Sequence, residues 1–183
     1  MADLAYALSS LFGEDTDLDE TAATSMLNLA QNLFGKTAIP VDSRLHAFFQ
    51  NWNISRGAFF GPNPAVPLEE SVYKSWTDET GHPLRGFKGL VWGDSAFHML
   101  DTLKRYGVDF DRTRSSSPDH LAVILEFLGF LLETNRIEEA RLFTIDHLNW
   151  LEPLLEHTKA LGLAESVQHP VRIVIDLRNS IIH

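Results

Sequence analysis

Ser117-Pro118-Asp119-His120 stands directly ahead of Leu121-Ala122-Val123-Ile124-Leu125-Glu126-Phe127-Leu128-Gly129-Phe130-Leu131-Leu132, the most apolar stretch of the chain. A helix with apolar side chains on nearly every face is a buried, central one. The four residues before it read as its start. Ser117 at the N-cap would accept a bond from a free backbone N–H. Pro118 would then occupy the first helical position, where its missing N–H costs nothing. Asp119 would answer the positive end of the helix dipole. His120 is left with no capping role.

Outward from this helix, apolar spacing near 3.6 residues dominates. Leu4, Leu8, Leu11 and Phe12 predict a first helix stopped by Gly13. The acidic run from Glu14 to Glu20 leads into a second, with Met26, Leu27, Leu29, Leu33 and Phe34, ended by Gly35. Asp42 or Ser43 would cap a third, carrying Leu45, Phe48, Phe49 and Trp52. After Gly93, Asp94 or Ser95 would cap a helix with Phe97, Leu100, Leu103 and Tyr106, closed by Gly107. Arg136 to Leu148 and Glu152 to Leu161 read as two more, and Pro170 begins a last one bearing Ile173, Val174, Leu177 and Ile181. No strand alternation or internal repeat appears. The expected fold is all-α, a single helical-bundle domain over 1–183. A smaller N-terminal lobe over 1–56 and a hinge over the polar linker 111–117 are compatible with it.

Between Gly57 and Gly93 the helical pattern gives way to Gly and Pro: Gly61-Pro62, Pro64, Pro67, Gly81, Pro83, Gly86 and Gly89. The stretch also holds Phe59, Phe60, Tyr73, Trp76, Phe87 and Trp92. Disordered linkers are poor in aromatics, so this reads as an ordered loop with one short helix near Glu69 to Trp76. Prolines that fix the backbone, interleaved with aromatics, suit a peptide-docking rim. They suit a lid over the core nearly as well.

Composition narrows the chemistry. The 183 residues are 44% hydrophobic, enough for a sizeable core, and carry a net charge of -10. That balance disfavours nucleic acid and fits a basic partner. The absence of cysteine excludes disulfides, thiolate nucleophiles and cysteine-ligated zinc. No apolar run approaches the roughly 20 residues of a membrane span, and Met1-Ala2-Asp3-Leu4 lacks a signal-peptide layout, so a cytoplasmic protein is expected. There is no Gly-x-Ser-x-Gly elbow and no phosphate-binding loop. Glu152, Glu156, His157 and Asp146-His147 lack metal-ligand spacing, and the histidines read as scattered surface residues. No catalytic residue and no metal site is expected.

Phe60-Gly61-Pro62, Pro67 and Ser71-Val72-Tyr73, followed by Trp92-Gly93-Asp94-Ser95 and Pro118-Asp119-His120, resemble in order and spacing the TorD/DmsD family of cytoplasmic chaperones for molybdenum oxidoreductases. The resemblance covers roughly Phe59 to Pro170. It implies an all-α, non-enzymatic protein that binds the twin-arginine leader of a molybdoenzyme, and its apoenzyme, until the molybdopterin cofactor is inserted and export follows. It implies a peptide-binding site at Pro118, Asp119, His120, Tyr73, Trp76, Gly61, Pro62, Pro67 and Ser71. It also implies weak guanine-nucleotide binding in some members, and monomers or domain-swapped dimers. Asp119 could pair with a leader guanidinium, and the loop aromatics could receive its apolar part. Two departures bear on the client. Ser115 and Ser116 stand where an acid is usual, and Pro67-Leu68-Glu69 replaces a Pro-Pro-aromatic run. The alternatives are an assembly chaperone of the nitrate-reductase type for a non-exported enzyme and, third, a small hydrolase using Asp119 and His120.

Overall fold

The computed structural model describes residues 1–13, 20–35, 52, 56–61, 63–111, 115 and 117–183. Among them are eight α-helices: α1 (Ala2–Phe12), α2 (Glu20–Phe34), α3 (Glu70–Tyr73), α4 (Asp94–Arg105), α5 (Leu121–Glu133), α6 (Ile137–His147), α7 (Leu151–Ala160) and α8 (Glu165–Ile182). Among the described residues one 3-10 turn lies at Arg56–Ala58, and strand-type pairing is limited to two isolated bridges, Glu69 with His120 and Thr77 with Arg85. The all-α expectation holds. The expected third helix, Pro62, Ser116 and the middle of the linker at 112–114 lie outside the described residues, apart from Trp52.

α5 is the central helix. Leu121, Ile124, Leu125, Leu128 and Leu131 are buried, each contributing roughly 1.5–3 kcal/mol relative to exposure. Its broadest contact is with α1, whose Leu4, Leu8, Leu11 and Phe12 face it. Gly129 allows this close approach: a Cβ there would meet the Tyr6 ring at 2.7 Å. α6 packs on α5, α7 on α8, and α8 in turn on α6 and α1. The buried side chains of α1, α2, α5 and α8 form one contiguous core. Trp52 joins it beneath Phe12 and Phe59, at ring distances of 6.1 and 5.7 Å.

Three helix starts differ from the sequence reading. α5 begins at Leu121, not after Ser117, and its N-cap is His120. α4 is capped by the backbone of Gly93, so Asp94 is its first residue. A Cβ on Gly93 would come within 2.5 Å of the Trp76 carbonyl oxygen, a contact only glycine permits. The buried face of α4 is Ala96, Met99 and Leu103; Leu103 is buried as expected, but Ala96 and Met99 take the places expected of Phe97 and Leu100, and Phe97 is 55% exposed. α8 begins at Glu165, so Pro170 lies inside it. That proline removes one helical bond, at a typical cost of about 3 kcal/mol. The burial of Val167, Val171, Ile173 and Val174 on the same helix offsets it.

A clasp between the loop and helix α5

The Gly57–Gly93 loop is ordered against the core. Val66 and Leu68 are buried, and Tyr73, the last residue of α3, donates its hydroxyl hydrogen to the Pro67 carbonyl at 2.9 Å. The Tyr73 ring stacks on Trp150 at 5.1 Å, with His157 Nδ1 3.2 Å from its hydroxyl. Burial pushes the phenol pKa well above its usual value, with the Glu69 charge adding to the shift, so the hydroxyl remains a donor.

The start of α5 is tied to this loop through Asp119, which is 0% exposed. Ser71 donates both its backbone N–H (2.8 Å) and its hydroxyl (2.5 Å) to Asp119 Oδ2. The Ser117 hydroxyl donates to Oδ1. The backbone closes the same junction: Glu70 N–H donates to the Asp119 carbonyl at 3.0 Å and Leu121 N–H to the Leu68 carbonyl at 2.8 Å. Ser115, also buried, donates to the Ser117 carbonyl at 2.9 Å. Ser71-Val72-Tyr73 and Pro118-Asp119-His120 are therefore two halves of one clasp.

His120 has the role that the sequence reading gave to Ser117. Its Nδ1 accepts the Ala122 N–H at 3.2 Å, which requires that nitrogen to be unprotonated. Burial lowers its pKa to about 4, with the nearby Asp119 charge opposing the shift, so the ring is neutral at pH 7. Ser117 and Asp119 instead bond each other and the loop. Pairing of Asp119 with an incoming guanidinium would require the clasp to open, because both its oxygens already accept bonds in a site closed to solvent.

The other implied site residues sit elsewhere on the loop. Trp76 stacks on His82 at 5.3 Å and donates Nε1–H to the Val91 carbonyl at 3.0 Å. Its own carbonyl accepts the Asp94 N–H at 2.7 Å, tying the loop to α4. Gly61 is exposed with φ of 110°, a backbone region that favours glycine. Beyond Trp76 the loop presents Phe87, Leu90, Val91 and, on α4, Phe97 to solvent.

One cluster has no counterpart in the sequence reading. Glu70, buried in α3, places Oε2 2.7 Å from Nδ1 of His147 and accepts from Lys74 Nζ through Oε1 at 2.5 Å. Lys74 also donates to the Asp146 carbonyl at 2.6 Å, so α3 is pinned to the end of α6. His147 is 2% exposed, not a surface residue as expected. Its ring lies between His98 (4.9 Å) and Phe143 (4.7 Å). Burial, and then the neighbouring His147, lowers the His98 pKa. The i, i+4 spacing of Glu70 and Lys74 was a visible signal, but nothing local links Glu70 to His147. Among the described residues no group of three or more His, Asp or Glu is placed to hold a metal ion.

The sequence model of the family described as nitrate reductase delta subunit matches residues 15–156. The chain belongs to that family. It is a family of TorD-type chaperones, in agreement with the TorD/DmsD resemblance, and the match spans both halves of the clasp. No curated protein matches the chain, and no solved structure does.

Proposed function

We propose that this protein is an assembly chaperone for a molybdopterin-dependent oxidoreductase. It binds the enzyme's apo form and its twin-arginine leader in the cytoplasm, and releases them for export once the cofactor is inserted. The family match over residues 15–156 carries this reading. The geometry supports it in a second way. The buried polar groups of the clasp are spent on holding the loop, while the loop turns Phe87, Leu90 and Val91 outward, and α4 turns Phe97 outward, as a surface for an apolar client segment would. In this scheme Pro67, Ser71, Pro118, Asp119 and His120 set the loop's position, and Tyr73, Trp76 and Gly61 shape it. The protein itself contributes no catalytic group. No helix among the described residues is long and apolar enough to cross a membrane.

Affinity purification from cells tests the reading. Recovery of a molybdoenzyme catalytic subunit, with purified protein binding that subunit's leader peptide in a salt-sensitive manner, is the expected result. Absence of any molybdoenzyme subunit from the purified material would sink it. The family's description favours one further reading, a client that is never exported. Recovery of a catalytic subunit lacking a twin-arginine leader would select that alternative.

A further inference from the structure

A pocket of about 160 Å³ separates α4 from α6. Its floor is apolar: Tyr106 just after α4, Phe127 and Leu131 of α5, and Phe143 of α6. Leu142, which is 51% exposed, gives it an apolar rim. A wider pocket of about 580 Å³ continues from it toward α3. His98, Asp146 and His147 line both, so the two form one cleft.

The wider part is polar and mostly acidic. Asp78, Asp94 and Asp146 line it as exposed carboxylates, and none of them forms an ion pair among the described residues. Asp94 Oδ2 accepts the Asp78 N–H at 3.2 Å. The cations of the lining are already engaged. Lys74 is held by Glu70 and the Asp146 carbonyl, and Arg105 pairs with Asp101 at 2.9 Å.

Two histidines stand where the parts meet. His147, bound through Nδ1 to Glu70, is buried, yet its Nε2 has no hydrogen-bond partner among the described residues. Buried polar atoms are rarely left so. Its ring stacks on His98, which is exposed. Burial, and then His147, holds the His98 pKa below 6.5, so that ring is neutral at pH 7 and repels no cation.

These features favour one kind of occupant. A guanidinium would find carboxylates not yet paired, beside a neutral planar ring. An adjoining apolar side chain would find the inner pocket, and an anion would meet only carboxylates and engaged cations. Asp119 is closed to such a guanidinium, because both its oxygens accept bonds within the clasp.

We propose that the cleft between α3, α4 and α6 docks a client segment in which arginine adjoins apolar residues, the guanidinium at Asp94 and Asp146 and an apolar side chain over Tyr106 and Leu142. The proposal rests on the chaperone reading above. It gives the client a second contact, beside the exposed Phe97 of α4.

Fluorescence anisotropy of the purified full chain with a labelled synthetic peptide, two adjacent arginines followed by a Leu/Ala run, tests it. Salt of about 0.15 M confines charge effects to roughly 8 Å. Asp146→Lys should weaken binding by about tenfold or more. Leu142→Asp should weaken it several-fold. Both side chains are exposed, and circular dichroism should show unchanged helicity. Asp109→Lys, an equal charge change on a residue outside the cleft, should leave affinity within about twofold of wild type. A peptide with both arginines replaced by glutamine should bind more weakly and no longer distinguish Asp146→Lys from wild type. If wild type binds and both cleft variants bind as tightly, the cleft assignment is wrong and the chaperone reading stands. Equal losses in Asp146→Lys and Asp109→Lys would mean that net charge alone acts, and would overturn the proposal. If wild type does not bind the peptide but a molybdoenzyme subunit is recovered from cells, the proposal falls and the chaperone reading stands. If neither is seen, both fall.

Discussion

The two sides of α5 differ in what they leave to solvent. At its N-terminal end, polar groups are buried and saturated: Asp119 accepts from Ser71 and Ser117, and His120 caps the helix. Along its outer face, Val123 and Phe130 are only half-buried and line a groove of about 290 Å³ with Tyr6, Val108 and Phe110. A buried polar group with all its partners contributes rigidity, and removing one partner strands the others. A half-exposed apolar side chain contributes less to folding than a fully buried one. The clasp is thus scaffold, and the groove is surface.

The sharpest way to break this contrast is Asp119→Ala. Three buried donors lose their acceptor, so urea unfolding should show a loss on the order of 3–5 kcal/mol. Amide exchange should rise across the loop residues around Ser71. A loss under about 1 kcal/mol would mean that the clasp does not hold the loop.

Acid should loosen the same end of α5. The folded His120 pKa, about 4, lies below the ordinary 6.5. As pH falls below 6.5 the unfolded chain takes up a proton that the native ring refuses, so stability is intact above pH 6.5 and declines toward pH 4. The full shift corresponds to about 3 kcal/mol. His120→Asn keeps a capping acceptor and removes this dependence. The variant should lose less stability than wild type between pH 7 and pH 4.5, by about 2 kcal/mol or more. His98 and His169, whose pKa values burial also lowers, would maintain part of the slope in both proteins.

On the groove side the effects should be smaller in stability. Gly129→Ala forces the Tyr6 ring off α5 and should cost about 1–3 kcal/mol, despite alanine's better helix propensity. Tyr6→Phe loses only an exposed bond to Glu133 and should cost less than about 1 kcal/mol in thermal unfolding. A larger loss would make Tyr6 part of the scaffold.

What was legible beforehand follows the range of the interaction. The helical stripe of Leu4, Leu8 and Leu11 and the glycine stops at Gly13, Gly35 and Gly107 depend on residues within a few positions, and the structure places them as expected. The two signatures were legible as residue types but not in their roles. Ser117 looked like a cap because its neighbours fit one, but Asp119 is held by Ser71, 48 residues earlier, and this delays the helix to Leu121. Phe97 looked like core because its spacing fits α4, but Gly93 and the Trp76 carbonyl set that helix's rotation.

By itself the sequence determined an all-α chain with a central apolar helix, an ordered aromatic loop and an acidic surface, because periodicity, glycine stops and net charge are local or additive properties. Only the tertiary structure decided that Asp119 and His120 face inward, that Glu70 meets His147 across 77 residues, and that Val123 and Phe130 of α5 remain half-buried. Burial and partnership depend on where distant segments come to rest, and the same residue types can serve as cap, clasp or contact until that packing chooses among them.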